Sequence, residues 1–174
     1  MDMSVLKEHI FLIGFMGAGK SSTARFLCSL LDVKETDTDE MIVAKEGCQI
    51  PEIFENKGEE YFRNLETSIL DNIKNMEPCI VSCGGGLALR QENVRKMQDM
   101  GKIILLSATP ETIYIHVKDS LSRPLLNGNM NIPYIKKLME ERLPKYHAAA
   151  DIIIETDGLD PKEVAAKIAD TYLQ

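Results

Sequence analysis

The sequence predicts an α/β fold in a single domain, a three-layer αβα sandwich around a five-stranded parallel sheet. Three observations predict it. The chain has 174 residues and is 44% hydrophobic, which suits one domain with a full core. Short apolar runs alternate with longer segments of helical character. The apolar runs carry hydrophobic residues on both faces, as strands of a parallel sheet do when helices cover each side.

The individual elements follow in order along the chain. The predicted strands are 9–13, a weaker 33–36, 79–83, 102–107 and 151–155. The predicted helices between them are 20–31, 39–46, 59–74, 91–100 and 132–141. A last helix begins at Pro161, because Asp160 suits the N-cap and Glu163 completes a capping box. No linker, repeat or low-complexity tract divides the chain, so we expect one domain over 1–174.

Composition excludes several classes of function. The chain has 20 basic and 27 acidic residues and a net charge of −7, which argues against nucleic acid as a partner. Its apolar runs are far shorter than the roughly 20 residues of a membrane span. Residues 1–4 lack the basic-then-apolar pattern of a signal peptide, and the four cysteines form no CxxC pair. We therefore expect a cytoplasmic protein without a membrane partner, with Cys79 and Cys83 in the core.

The strongest motif follows the first predicted strand, where residues 14–21 read GFMGAGKS and match GxxxxGK[ST]. Glycines allow the backbone N–H groups to turn toward a phosphate, and the next helix adds its free N-terminal donors. Lys20 can reach the β- and γ-phosphates, and the Ser21 hydroxyl can bind Mg²⁺. The predicted nucleotide-binding residues are Gly14, Gly17, Ala18, Gly19, Lys20, Ser21 and Ser22. These features predict a P-loop fold that binds a nucleoside triphosphate.

The loop alone does not define the reaction. No later apolar strand ends in the usual aspartate, and no NKxD motif is present, which favours a compact kinase over a switch. Asp37 and Asp39 are the candidate acids, because residues two apart in extended chain point to one side. One would order Mg²⁺ through its waters and the other would accept a proton. The alternative is that these residues cap the helix that follows.

Further motifs follow in a distinctive order. They are DTD at 37–39, GEEYFR at 58–63 with Glu66 after it, three glycines at 84–86, RPLL at 123–126 and RLPKY at 142–146. With the loop, they make the chain resemble the shikimate kinase family over nearly its whole length. The resemblance implies a nucleoside-monophosphate-kinase-like fold and transfer of the ATP γ-phosphoryl group to the 3-hydroxyl of shikimate, a step toward chorismate and the aromatic amino acids. It also implies Mg²⁺, ATP and shikimate as ligands, and a monomer.

The resemblance assigns roles to particular residues. Asp39 corresponds to the proposed base that contacts the acceptor hydroxyls, and Asp37 lies near Mg²⁺. Arg63 and Arg142 correspond to the pair that grips the substrate carboxylate, which suits their planar, bidentate guanidinium groups. An ion pair between Arg63 and Glu66 is an alternative that is compatible with this role. The region 37–66 is thus expected to bind the acceptor.

Two loops complete the expected site. Gly84, Gly85 and Gly86 lie at a strand end, where bare backbone can approach a bound ring. Arg123 resembles the lid arginine that closes over the transferring phosphates, with a mobile lid around 118–132. Together with Lys20 and Asp39, Arg123 completes the expected catalytic set. The expected site then concentrates four cations in one cleft of an acidic protein: Lys20, Arg63, Arg123 and Arg142.

One position departs from the family pattern. His116 stands where many members have an arginine that packs against adenine, so the adenine contact is not assigned; a helix-surface histidine is the alternative. Two other functions remain open. One is a different small-molecule kinase of the same fold, such as a gluconate or nucleoside kinase. The other is a nucleotide-binding module without catalysis.

Overall fold

The computed structural model describes residues 6–119 and 130–174, and within these ranges it has the predicted five-stranded parallel sheet. The strands are β1 His9–Ile13, β2 Glu35–Asp37, β3 Ile80–Ser82, β4 Gly101–Ser107 and β5 Ile152–Glu155. Their order across the sheet is β2-β3-β1-β4-β5, and every pair is parallel. The central strand β1 is buried at every residue, which explains the apolar run that follows His9. The predicted α/β class is confirmed.

Seven α-helices pack around the sheet in the described part of the chain. They are α1 Lys20–Leu31, α2 Thr38–Glu46, α3 Ile50–Ile73, α4 Gln91–Met100, α5 Pro110–Val117, α6 Ile132–Ala149 and α7 Pro161–Tyr172. The predicted bounds of α1 and α4 are correct. The predicted capping box of α7 is also present, because Asp160 accepts from the Glu163 N–H and the Glu163 carboxylate accepts from the Asp160 N–H.

Three helices differ from the sequence prediction by more than one residue. Helix α3 begins at Ile50 rather than at residue 59, and Gly58 interrupts it with φ 83° and ψ 171°, so its first half carries no continuous helical pattern. Helix α5, which Thr109 caps, was not predicted from the sequence. Helix α6 was predicted to end at residue 141, but it continues through Pro144 to Ala149.

The buried cysteines and the length and polarity of the helices agree with the expectations drawn from composition. Cys79 and Cys83 are buried as predicted, and burial raises the pKa of both thiols. His9 lies beside Cys79, whose backbone N–H donates to His9 Nδ1 at 3.2 Å, and burial lowers the histidine pKa. Among the helices that the structure describes, none combines the length and the apolar character that crossing a membrane requires.

Candidate active site

A cavity of about 410 Å³ opens at the carboxyl ends of β1, β2 and β3, where ligands bind in open parallel sheets. Its lining includes most of the residues singled out in the sequence, namely Gly17, Gly19, Lys20, Ser21, Ser22, Asp37, Asp39, Gly84 and Gly85. Ala18 lines a smaller cavity beside it. The topology explains this convergence, because each of these segments directly follows a strand of the same sheet.

The phosphate loop has the backbone shape that its glycines predict. Gly14 has a φ of 149°, and a Cβ there would lie 2.6 Å from the Leu106 carbonyl oxygen. Gly17 has a φ of 80°, and its Cβ would lie 2.6 Å from Val117 Cγ1. The buried Lys20 ammonium donates to the Gly14 and Phe15 carbonyls at 2.8 and 3.0 Å. The loop therefore holds its lysine in place at the N-terminus of α1.

Asp37 connects this loop to the second strand. Its Oδ2 accepts a hydrogen bond from the Ser21 hydroxyl at 3.0 Å, and Ser82 Oγ lies 3.2 Å from the same hydroxyl. Its Oδ1 accepts from the backbone N–H groups of Asp39 and Glu40, so Asp37 is also the N-cap of α2. The capping alternative is thus correct for Asp37 and coexists with its place in the cavity.

Asp39 reaches the cavity in a different way from the one predicted. In an extended chain Asp37 and Asp39 would point to one side, but α2 begins at Thr38 and Asp39 lies in its first turn. The extended-chain premise is wrong. Both carboxylates still line the same cavity, because the cap turns the chain from β2 into the helix at that point.

The oxygen atoms around Ser21 fit a magnesium ion. Mg²⁺ prefers hard oxygen ligands and is usually held by one or two carboxylates, substrate phosphates and waters. Ser21 Oγ and Asp37 Oδ2 are such ligands and lie beside the phosphate loop. Among the described residues no group of three His, Cys, Asp or Glu side chains could hold a metal by itself. These residues could therefore form a Mg²⁺ site in which the phosphates of a bound nucleotide supply further ligands.

A buried ion pair lies on α3 next to the cavity. Arg63 Nη1 and Glu66 Oε2 are 2.9 Å apart, and Arg63 Nη2 lies 3.3 Å from Glu59 Oε1. Glu66 is 1% exposed, and its Oε1 has no hydrogen-bond partner in the described part of the chain. Burial raises the pKa of the Glu66 carboxyl to about 7, although the Arg63 charge opposes the shift. The predicted pair between Arg63 and Glu66 is present.

The three glycines at 84–86 form a glycine wall that lies against two acids, Asp39 and Glu66, and against the two arginines. A Cβ on Gly84 would lie 2.6 Å from Asp39 Oδ1 and 3.2 Å from Glu66 Oε1. A Cβ on Gly86 would lie 2.5 Å from Arg63 Cζ. Side chains at either position would displace these groups, so the absence of Cβ atoms is what permits the close approach.

Arg142 lies beside Gly85 of the glycine wall. It is 7% exposed, its guanidinium lies over the Phe15 ring at 5.6 Å, and a Cβ on Gly85 would lie 3.5 Å from its Nη1. It forms no salt bridge with any carboxylate in residues 6–119 and 130–174. The Tyr146 hydroxyl donates to the Gly85 carbonyl and lies close enough to Arg142 for the arginine charge to oppose the rise in its pKa that burial causes. Tyr146 was part of the RLPKY motif, but the sequence assigned no role to it.

Two further residues at the cavity were taken from sequence as surface or structural. His116 Nδ1 lies 2.6 Å from the Gly17 carbonyl oxygen, so the histidine contacts the phosphate loop. Pro161 begins α7 and also lines the cavity. His116 and Pro161 share with Thr112 a second, adjoining cavity of about 160 Å³. Arg123 and most of the predicted lid lie outside the described residues.

The parallel sheet, the phosphate loop and the acids at the strand ends define a P-loop kinase. Comparison with known proteins gives the family: a shikimate kinase family profile matches residues 16–173, and the chain belongs to that family.

The chain is similar to curated shikimate kinases and to solved structures of this family. The shikimate kinase of Dehalococcoides mccartyi is 39% identical, over 95% of this chain and 93% of its own length. That of Persephonella marina is 40% identical, over 92% of this chain and 96% of its own length. The structure of the Acinetobacter baumannii shikimate kinase in complex with shikimate has a TM-score of 0.91 at 31% identity, over 95% and 93% of the two chains. The Aquifex aeolicus enzyme has a TM-score of 0.82 at 37% identity, over 95% and 96%.

Proposed function

We propose that this protein transfers the γ-phosphoryl group of ATP to the 3-hydroxyl of shikimate. The observation that carries the proposal is Arg142, a buried cation that meets no described carboxylate and lies beside the glycine wall of the phosphate-loop cavity. A buried charge is costly unless it is paired, so this position suits an anionic group of the acceptor. Family membership and the neighbour with bound shikimate support the same acceptor.

The acceptor would be held by its carboxylate and by its hydroxyls. Arg63 and Arg142 approach Gly86 and Gly85 and present guanidinium forks that match a carboxylate. The glycine wall has no side chains, so a flat ring can lie against its backbone. Asp39 lies next to Gly84, where it can accept the proton of the reacting hydroxyl as the phosphoryl group arrives.

The nucleotide phosphates would lie on the loop at the N-terminus of α1. Lys20 then moves its donors from the loop carbonyls to the phosphates, where its charge stabilises the transition state. Ser21 and Asp37 are the proposed Mg²⁺ ligands, Asp37 through water, and Mg²⁺ when bound neutralises phosphate charge. We include Arg123 as the lid arginine and a lid around 118–132, on the motif alone. A cytoplasmic monomer that binds neither nucleic acid nor membranes is part of the same proposal.

An acceptor panel tests the proposal. ADP release is measured with ATP and Mg²⁺ and with shikimate, gluconate or a nucleoside as acceptor. Of the three acceptors, we expect only shikimate to stimulate ADP release. Lys20→Met should abolish the shikimate-dependent release, and this variant controls for a contaminating kinase. Turnover of gluconate or a nucleoside without stimulation by shikimate would assign a different kinase of this fold. No stimulation by any acceptor, with ATP bound, would indicate a module without catalysis.

A further inference from the structure

The two arginines of the proposed acceptor site have different surroundings. Arg63 pairs with Glu66 and Glu59, so its charge is already partly balanced inside the protein. Arg142 has no described carboxylate within salt-bridge distance, although its charge lowers the pKa of the more distant Glu66; the groups beside it are the Phe15 ring and the Tyr146 hydroxyl. The Arg142 charge acts on Glu66 but forms no ion pair with it, so Arg142 is the less compensated of the two arginines and the stronger attractor for a substrate carboxylate.

Tyr146 reaches Arg142 because α6 does not stop at Pro144. The helix continues through the proline, so residues 142 and 146 lie one turn apart on the same face. Tyr146 is 3% exposed and its ring belongs to the hydrophobic core. The hydroxyl therefore has a fixed position, set by the packing of the ring and by the helix.

The direction of each hydrogen bond at this hydroxyl follows from its partners. The Gly85 carbonyl oxygen can only accept, so the Tyr146 O–H donates to it. The Arg142 guanidinium carries only donors, so where it lies beside the Tyr146 hydroxyl the remaining lone pair of the Tyr146 oxygen faces a donor. Burial raises the pKa of Tyr146, which keeps the hydroxyl protonated and able to bridge both groups.

We propose that Tyr146 is a positioning residue of the acceptor site, whose neutral hydroxyl fixes Arg142 against the Gly85 carbonyl and leaves the arginine charge available for the substrate carboxylate. A carboxylate in place of the hydroxyl would hold the arginine equally well but would compete with the substrate. The inference rests on the proposed function, since it concerns how the same site binds shikimate.

Steady-state kinetics of Tyr146→Phe test it, because the change removes only the hydroxyl. We expect the KM for shikimate to rise roughly tenfold, the value of one hydrogen bond to a charged group, with kcat and the KM for ATP within about twofold. The kcat/KM for shikimate methyl ester, which lacks the negative charge, should change less than about twofold. Tyr172→Phe, the same change at the far end of α7, is the matched control and should leave all these constants unchanged.

A double-mutant cycle separates positioning from a merely structural effect. If Tyr146 acts through Arg142, then Arg142→Ala combined with Tyr146→Phe has the same shikimate KM as Arg142→Ala alone. Three results would each overturn the inference. The two substitutions could raise the shikimate KM independently, so that their factors multiply in the double variant. Tyr146→Phe could lower kcat/KM equally for shikimate and its methyl ester, or it could leave the shikimate KM unchanged. Tyr146→Met, which also lacks the hydroxyl, must show the same pattern if the phenylalanine variant does not fold. Failure of the proposed function is distinct, because the wild-type chain would then show no shikimate-dependent turnover.

Discussion

Replacing Gly86 by alanine tests whether Arg63 binds the acceptor. The new methyl group would lie 2.5 Å from Arg63 Cζ and 2.8 Å from Nη2, so the guanidinium has to move away. Gly86 has a φ of −95°, which alanine adopts without strain, so the steric conflict is confined to the arginine. A hydrogen bond to a charged group is worth about 1.5–3 kcal/mol, and losing one from the substrate carboxylate raises the shikimate KM roughly ten- to a hundredfold.

The cost to folding should be smaller than this displacement suggests. A buried carboxylate without its partner normally costs about 3–5 kcal/mol. Glu66, however, already has a pKa of about 7, so without the Arg63 charge it takes up a proton and becomes neutral. We therefore expect the free energy of unfolding of Gly86→Ala to fall by about 1–2 kcal/mol.

Gly84→Ala is the matched variant, since the same methyl group is added two residues earlier. There it lies 2.6 Å from Asp39 Oδ1, so it displaces the proposed base and should lower kcat about a hundredfold or more. The assay is ADP release over a range of shikimate concentrations at saturating ATP, with thermal unfolding in parallel. Equal kinetic effects of the two variants, or an unchanged shikimate KM in Gly86→Ala, would refute the separate roles of Arg63 and Asp39.

Three further predictions concern the acids of the site. Asp39→Asn should lower kcat by about 10²–10⁴ while the ATP dissociation constant changes less than about twofold. Asp37→Asn keeps the α2 cap, since asparagine caps as well as aspartate, and should raise the Mg²⁺ concentration for half-maximal activity about tenfold with little change in stability. Folding raises the pKa of Glu66 from its ordinary 4.5 to about 7, so the folded chain binds more protons and this carboxyl makes stability fall as pH rises between these values. Glu66→Gln removes that contribution and should gain stability relative to the wild type across the same window, by up to about 1.4 kcal/mol for each pKa unit.

Each of these has a result that would contradict it. Full activity of Asp39→Asn excludes this residue as the base. An unchanged Mg²⁺ requirement in Asp37→Asn leaves that aspartate with its capping role alone. A stability difference between Glu66→Gln and the wild type that does not vary from pH 4.5 to 7 means that the Glu66 pKa is not raised; urea unfolding at a series of pH values measures it.

Local patterns predicted those parts of the fold that local interactions determine. Helix α1 follows a phosphate-loop motif, and the capping box of α7 satisfies its own backbone donors, so both could be located from neighbouring residues. Gly58 and Pro144 misled the reading because each usually ends a helix, whereas α3 resumes after Gly58 and α6 continues through Pro144. The packing that permits this comes from other elements and leaves no local pattern.

In the site, too, some features follow from local sequence patterns and others only from the folded chain. The motifs supplied the residue types, and the order of parallel strands brought them to one edge of the sheet. The bridge from Tyr146 to Gly85 joins residues 61 positions apart, so only the folded chain shows it. The acidic surplus of the chain likewise says nothing about where its positive charges lie, and at this site they are Lys20, Arg63 and Arg142.

The position of the phosphate on the product tests the central claim most directly. The wild-type chain is incubated with ATP, Mg²⁺ and shikimate, and the product is examined by phosphorus and proton nuclear magnetic resonance. We predict one phosphate ester, on the 3-hydroxyl, in an amount equal to the ADP released. An ester on another hydroxyl, or ADP with inorganic phosphate and unmodified shikimate, would contradict the account.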